Sequence, residues 1–223
     1  LIRQGYTPDS LVNCSPTATI NGRVFSNHPA YPTSLMGMVP LSTAVAASCN
    51  TAFLNASTQI SSQEFTSAAA SLGLGVDYDT GFGAFYGSVP MVDDPVEHAA
   101  GMIGQGQVLM SPLALAAEAA SVANGHTTIP YLIETQQPTS TAQPLTTDEA
   151  AKLRDLMQQV VSRGTAMQMI GILEGAKTGT AEFGDASQSH SWIVGWTDQY
   201  AICAMSYNGN QDDKQAVIDF ITG

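Results

Sequence analysis

Positive charge is scarce in this sequence. Seven Lys and Arg stand against nineteen Asp and Glu, a formal net charge of −12. So acidic a surface repels phosphate backbones, and no basic run or basic-aromatic patch offsets it, which excludes nucleic-acid binding as a function class. Long apolar runs are missing as well. Nothing approaches the ~20 residues of a membrane-spanning helix, and the most apolar segment, Leu109–Ala123, is broken by Pro112 and Glu118 and reads as a core helix. There are only three cysteines, Cys14, Cys49 and Cys203, with no C-x-x-C or Cys/His spacing. Each reads as a buried, inert thiol, with Cys49 turned into the helical core. The four histidines are scattered without an H-E-x-x-H, so no metal site is expected. Leu1-Ile-Arg is no signal peptide, and any export signal or anchor is expected outside these residues. What remains is a chain of 223 residues, 44% hydrophobic, enough for one sizeable domain or two small subdomains sharing a core.

Periodicity and punctuation give the organisation. Leu1–Gly5 reads as the end of a helix. Residues 11–40, rich in Pro, Asn and Ser, read as an irregular or weakly stranded excursion. Leu41–Ile60 is helical in pattern but interrupted at Ser48-Cys49-Asn50. Helices are expected over Ser62–Leu72, Pro95–Met102, Pro112–Asn124 and Thr147–Arg163, the last capped by Thr147 and stopped by Gly164. Residues 76–95 form a loop, and Gly104-Gln105-Gly106 a turn. The period then changes to that of strands, at Lys177–Phe183, Ser191–Thr197 and Tyr200–Tyr207, joined by the loop Gly184–His190 and the turn Asp198-Gln199. Lys214–Ile221 closes as a short helix. Helices followed by an antiparallel meander indicate an α+β fold, a helical subdomain set against a sheet.

Lys177, in Gly175-Ala-Lys-Thr-Gly-Thr-Ala-Glu-Phe183, admits three readings. It is a solvated lysine at a strand edge, a phosphate loop, or a carboxylate-binding strand. The phosphate loop fails: Ala176 replaces a required glycine, and strand-like residues follow where a helix should open. The third reading has a physical rationale. The ammonium offers a positive field to a substrate carboxylate, threonine hydroxyls bind it, the glycine clears room, and a strand N–H faces a developing oxyanion. Upstream, Ser48-Cys49-Asn50 is either a helix cap or the S-x-N that accompanies K-T-G.

Both motifs in this order, with helices between and strands after, resemble the transpeptidase domain of penicillin-binding proteins, most of all the monofunctional class B enzymes. The stretches at 103–116 (IGQGQVLMSPLALA), 160–166 (VVSRGTA) and 190–196 (HSWIVGW) carry the same resemblance. It implies a β-lactamase/transpeptidase-like α+β fold and serine acyl transfer that cross-links peptidoglycan, with no metal or organic cofactor. Partners implied are the D-Ala-D-Ala stem peptide and β-lactams, with cell-wall and division proteins as further candidates. The extracytoplasmic face of the bacterial membrane is the implied location. By resemblance, Ser48 shuttles a proton, Asn50 holds the substrate's amide carbonyl, and Lys177, Thr178 and Thr180 bind the carboxylate. Gly179 gives clearance and the Thr180 N–H forms half of an oxyanion hole. A D,D-carboxypeptidase, a serine β-lactamase, or a non-catalytic binding or scaffolding module are the alternatives.

One motif of the set is absent. The residues three before Lys152, Lys177 and Lys214 are Glu149, Glu174 and Gln211, so there is no S-x-x-K and no nucleophile to activate. The chain is therefore expected to be the C-terminal portion of one transpeptidase domain. Residues 1–165 would form most of a helical subdomain, and 166–223 the sheet strands and last helix. The nucleophile helix, a first helix and two strands would lie upstream, omitted, cleaved or held as a bound partner.

Overall fold

In the computed structural model, residues 1–184, 188–209 and 212–223 are described. The first residues form a short 3₁₀ turn, Ile2–Gln4, closed by Gly5. The excursion that follows is more ordered than its composition suggests. Strand β1 (Leu11–Cys14) pairs antiparallel with β4 (Gly37–Pro40), and β2 (Thr17–Ile20) with β3 (Arg23–Ser26). Asn21 and Gly22 both hold positive φ, the two-residue turn that matches strand twist and closes β2 onto β3. In β1 and β2 alternate residues are buried, which places Val12, Cys14, Ala18 and Ile20 inward.

Helix α1 (Leu41–Ala46) and helix α2 (Asn50–Ala56) are separated by the expected polar interruption. Helix α3 (Ser62–Ser71) begins at a capping box of Ser61 and Glu64. The N-cap Asp94 accepts from two backbone amides to start α4 (Pro95–Gly101), and Ser111 caps α5 (Pro112–Asn124). Helix α6 (Thr147–Arg163) is capped by Thr146, one residue before the expected cap, because Thr146 is the hydroxyl that reciprocates with Glu149. No helix among the described residues is long and apolar enough to cross a membrane.

The strands β5 (Gly175–Phe183), β6 (Gln188–Trp196) and β7 (Ala201–Ser206) form one antiparallel sheet in that order. Residues 185–187 of the expected Gly184–His190 loop lie outside the described residues, while Gln188–His190 are already in β6. Helix α7 (Asp212–Thr222) starts two residues earlier than expected. Alternation splits the sheet's faces. Val194 and Trp196 pack with Ala119 and Val122 of α5, whereas Ile193 packs with Val217 of α7 and Val160 of α6. Helix α6 thus runs beside β5 while its end abuts α1. That junction is close: a Cβ on Gly164 would fall 2.2 Å from the Ala46 carbonyl oxygen, so only glycine lets the two helix ends meet. Arg163 then reaches Ser42 and Thr43 of α1, and the Thr165 amide donates to the Ala46 carbonyl.

The expectation of three inert thiols is corrected for two of them. Cys14, at the end of β1, and Cys49, before α2, form a disulfide. They are 35 residues apart and are joined only once β1 lies against α2, a long-range contact that no local pattern encodes. Beside it a buried Asn27 accepts from the Thr51 amide at 3.0 Å and donates to the Thr51 hydroxyl at 3.2 Å. This side chain, far away in sequence, satisfies an otherwise orphaned amide in the first turn of α2. Cys203 is free, and burial pushes its thiol up to about 12, so that it is inert at neutral pH.

Candidate active site

The interruption between α1 and α2 holds the first candidate. Ser48 has φ 60°, a left-handed conformation uncommon for a residue with a side chain. The disulfide at Cys49, the Asn27 network and the Arg163 and Thr165 contacts to α1 hold the segment on both sides. Backbone strain of this kind persists where surrounding structure over-determines it, and it clusters at functional sites.

Strand β5 brings the second. The Lys177 ammonium donates to the Ser48 hydroxyl at 2.9 Å and to the Thr178 carbonyl at 2.6 Å. Two motifs separated by 129 positions are thereby in direct contact. Burial lowers the Lys177 amine from its ordinary value to about 8, so it is mostly protonated at pH 7 yet able to release a proton. Thr178 meets Thr165 hydroxyl to hydroxyl at 2.5 Å, which adds a third chain segment to the wall. Gly179 and Thr180 are exposed. A Cβ on Gly179 would meet only the Trp192 Cβ, at an ordinary 3.5 Å, so the chain's own packing does not require this glycine.

Asn50 opens α2, half-buried, two residues from Ser48, and its amide forms no hydrogen bond among the described residues. The structure thus joins Ser48, Lys177 and Thr178 directly, with Gly179 and Thr180 following along the same strand. Two contributors carried no assigned role in the sequence, Thr165 and Gln105, whose carboxamide donates to the Thr180 carbonyl at 3.0 Å. The signal for both was a neighbouring glycine that brings its backbone into an otherwise closed approach or turn. No group of three or more His, Cys, Asp or Glu side chains able to hold a metal ion occurs among the described residues.

A lysine on an edge strand, hydrogen-bonded to a serine from a helix break and followed by a Thr-Gly-Thr edge, matches the K-T-G and S-x-N motifs of penicillin-binding proteins. The chain belongs to the family of penicillin binding protein transpeptidase domains, whose model matches residues 1–218. It is similar to the peptidoglycan D,D-transpeptidase PbpA of Mycobacterium tuberculosis, 28% identical over 218 residues, covering 88% of this chain and 44% of that protein. The crystal structure of PBPA from M. tuberculosis superposes with a TM-score of 0.84 at 25% identity, covering 100% of this chain and 58% of that one. A penicillin G acyl-enzyme complex of the same M. tuberculosis protein gives 0.82 at 25% identity, over 98% of this chain and 57% of that one. The chain therefore spans less than half the length of the curated relative it matches.

Proposed function

We propose that this chain forms the substrate-binding wall of a peptidoglycan D,D-transpeptidase, and that the nucleophile is an S-x-x-K serine supplied from outside Leu1–Gly223. That serine attacks the penultimate D-Ala carbonyl of a stem peptide, terminal D-Ala leaves, and an amine of a neighbouring stem takes the acyl group. β-Lactams stop at the first step. The carrying observation is the Lys177 to Ser48 hydrogen bond, which links the two motifs of the wall.

Each residue has a role its surroundings support. Lys177, with Thr178 and Thr180, offers the substrate carboxylate an ammonium and two hydroxyls, a charge-assisted set. Ser48, already bonded to Lys177, is poised to relay a proton to the leaving nitrogen. Asn50, with no partner of its own among the described residues, is available to the substrate amide. Gly179 clears space that the fold itself does not need, which leaves the substrate as the reason for it. The peptide groups of an antiparallel strand alternate between its two edges, and a residue's N–H and C=O point the same way. The Thr178 and Thr180 carbonyls each accept from a side chain, Lys177 and Gln105, which supports their facing the open edge, and with them the Thr180 N–H, where an oxyanion would form. The names of the relatives support a transpeptidase over a carboxypeptidase or β-lactamase. The disulfide supports an oxidising, extracytoplasmic location.

The reading has a pH signature. A carboxylate ligand needs the ammonium form of Lys177, which is present below about 8 and lost as pH rises through that value. Non-covalent binding of an acyl-D-Ala-D-Ala peptide, followed by calorimetry, is expected to be about tenfold weaker at pH 9 than at pH 7. Affinity independent of pH over this range would remove Lys177 from carboxylate recognition.

A further inference from the structure

Gln105 sits between Gly104 (φ 73°) and Gly106 (φ 66°), both in the left-handed region that favours glycine. The turn folds back onto α4. The Gln105 amide donates to the Ala100 carbonyl at 3.0 Å, and a Cβ on Gly106 would come within 3.1 Å of Glu97 Oε2. With its backbone fastened to that helix, the Gln105 side chain crosses to β5 and donates from Nε2 to the Thr180 carbonyl at 3.0 Å. This is a bond across 75 residues onto an edge strand of the sheet, at the residue whose N–H is proposed above as an oxyanion donor.

An open edge has no ladder to hold it, and Thr180 is exposed. An oxyanion donor helps only if it is fixed before the charge develops, since its value lies in needing no reorganisation. We propose that Gln105 is a positioning residue for acyl transfer: its carboxamide supplies one rung of the missing neighbouring strand, and so keeps the Thr180 N–H aimed at the oxyanion. The two glycines are there because the turn must present Gln105 at this height above the strand. The proposal rests on the reading of Thr180 as oxyanion donor given above.

The test uses the protein complete with its S-x-x-K segment and penicillin G as probe, with acylation followed by stopped flow so that initial binding and the acylation rate constant separate. Gln105→Leu keeps the volume and removes the donor. The acylation rate constant is expected to fall about tenfold, with the initial binding constant changed less than twofold and the melting temperature unmoved. In Gln105→Glu an ionised carboxylate cannot donate to a carbonyl, whereas its protonated form can. Its rate relative to wild type is therefore expected to recover as pH falls toward about 4.3, and Gln105→Leu is expected to show no such recovery. Wild-type acylation by Gln105→Leu would overturn the proposal, as would a rate loss matched by equal losses in binding and melting temperature. Lys177→Ala serves as the control. If it is inactive while Gln105→Leu is normal, only the role of Gln105 fails; if both acylate normally, the reading of the whole wall fails.

Discussion

Replacing Lys177 by alanine in the protein that includes its nucleophile is expected to slow acylation by penicillin on the order of 10³-fold, with little change in melting temperature. Two losses combine. The ammonium that would meet the carboxylate disappears, and charge-assisted hydrogen bonds are about twice as strong as neutral ones. The Ser48 hydroxyl also loses the donor that sets its orientation, 2.9 Å away, and a positioned proton shuttle contributes roughly 10²- to 10⁴-fold to catalysis. Melting temperature is spared because Lys177 is a buried amine with a lowered pKa, whose removal relieves desolvation as well as deleting contacts. Lys177→Arg is expected to rescue little, since a guanidinium neither fits the ammonium's place against Ser48 nor releases a proton. Stopped-flow acylation beside thermal melts measures both effects, and a variant within tenfold of wild type would contradict the assigned role.

Breaking the Cys14–Cys49 disulfide is expected to cost about 4 kcal/mol of stability, from the loss of a cross-link that closes a loop of this length in the unfolded chain. The effect should be seen as a lower urea midpoint for the reduced protein, or for Cys14→Ser with Cys49→Ser, relative to the oxidised protein. The bond also anchors the middle residue of Ser48-Cys49-Asn50 to β1. A reduced protein with an unchanged midpoint would mean that the Asn27 network alone holds this junction.

Much of this could be read from the sequence where the signals are local. Helices α3, α5 and α6 announced themselves by caps and stops, with the α6 cap shifted a single residue to Thr146. The strands β5, β6 and β7 followed from the change of period and its turns. The misses are all non-local or compositional. The two small hairpins in residues 11–40 were masked by Pro and Ser, although Asn21-Gly22 was itself a turn signal. The disulfide needs β1 and α2 to be packed before its partners meet. In the site, the residue types of Ser48 and Lys177 were legible as motifs, but their contact arises from the way Gly164 lets α6 close onto α1. Gln105 and Thr165 were visible as neighbours of glycines and as members of resembling stretches. Their roles are hydrogen bonds to β5 that spacing cannot express.

Ser48, Lys177, Thr178 and Thr180 are thus proposed as one wall of an acyl-transfer site whose nucleophile is supplied from outside these 223 residues. Intact-mass spectrometry with peptide mapping, after penicillin G is added to the protein carrying its preceding residues, tests this most directly. The predicted result is one drug mass added to the serine of an upstream S-x-x-K, with no adduct on any peptide from Leu1–Gly223. A penicilloyl group on a serine within this chain would contradict it, because the wall would then contain its own nucleophile.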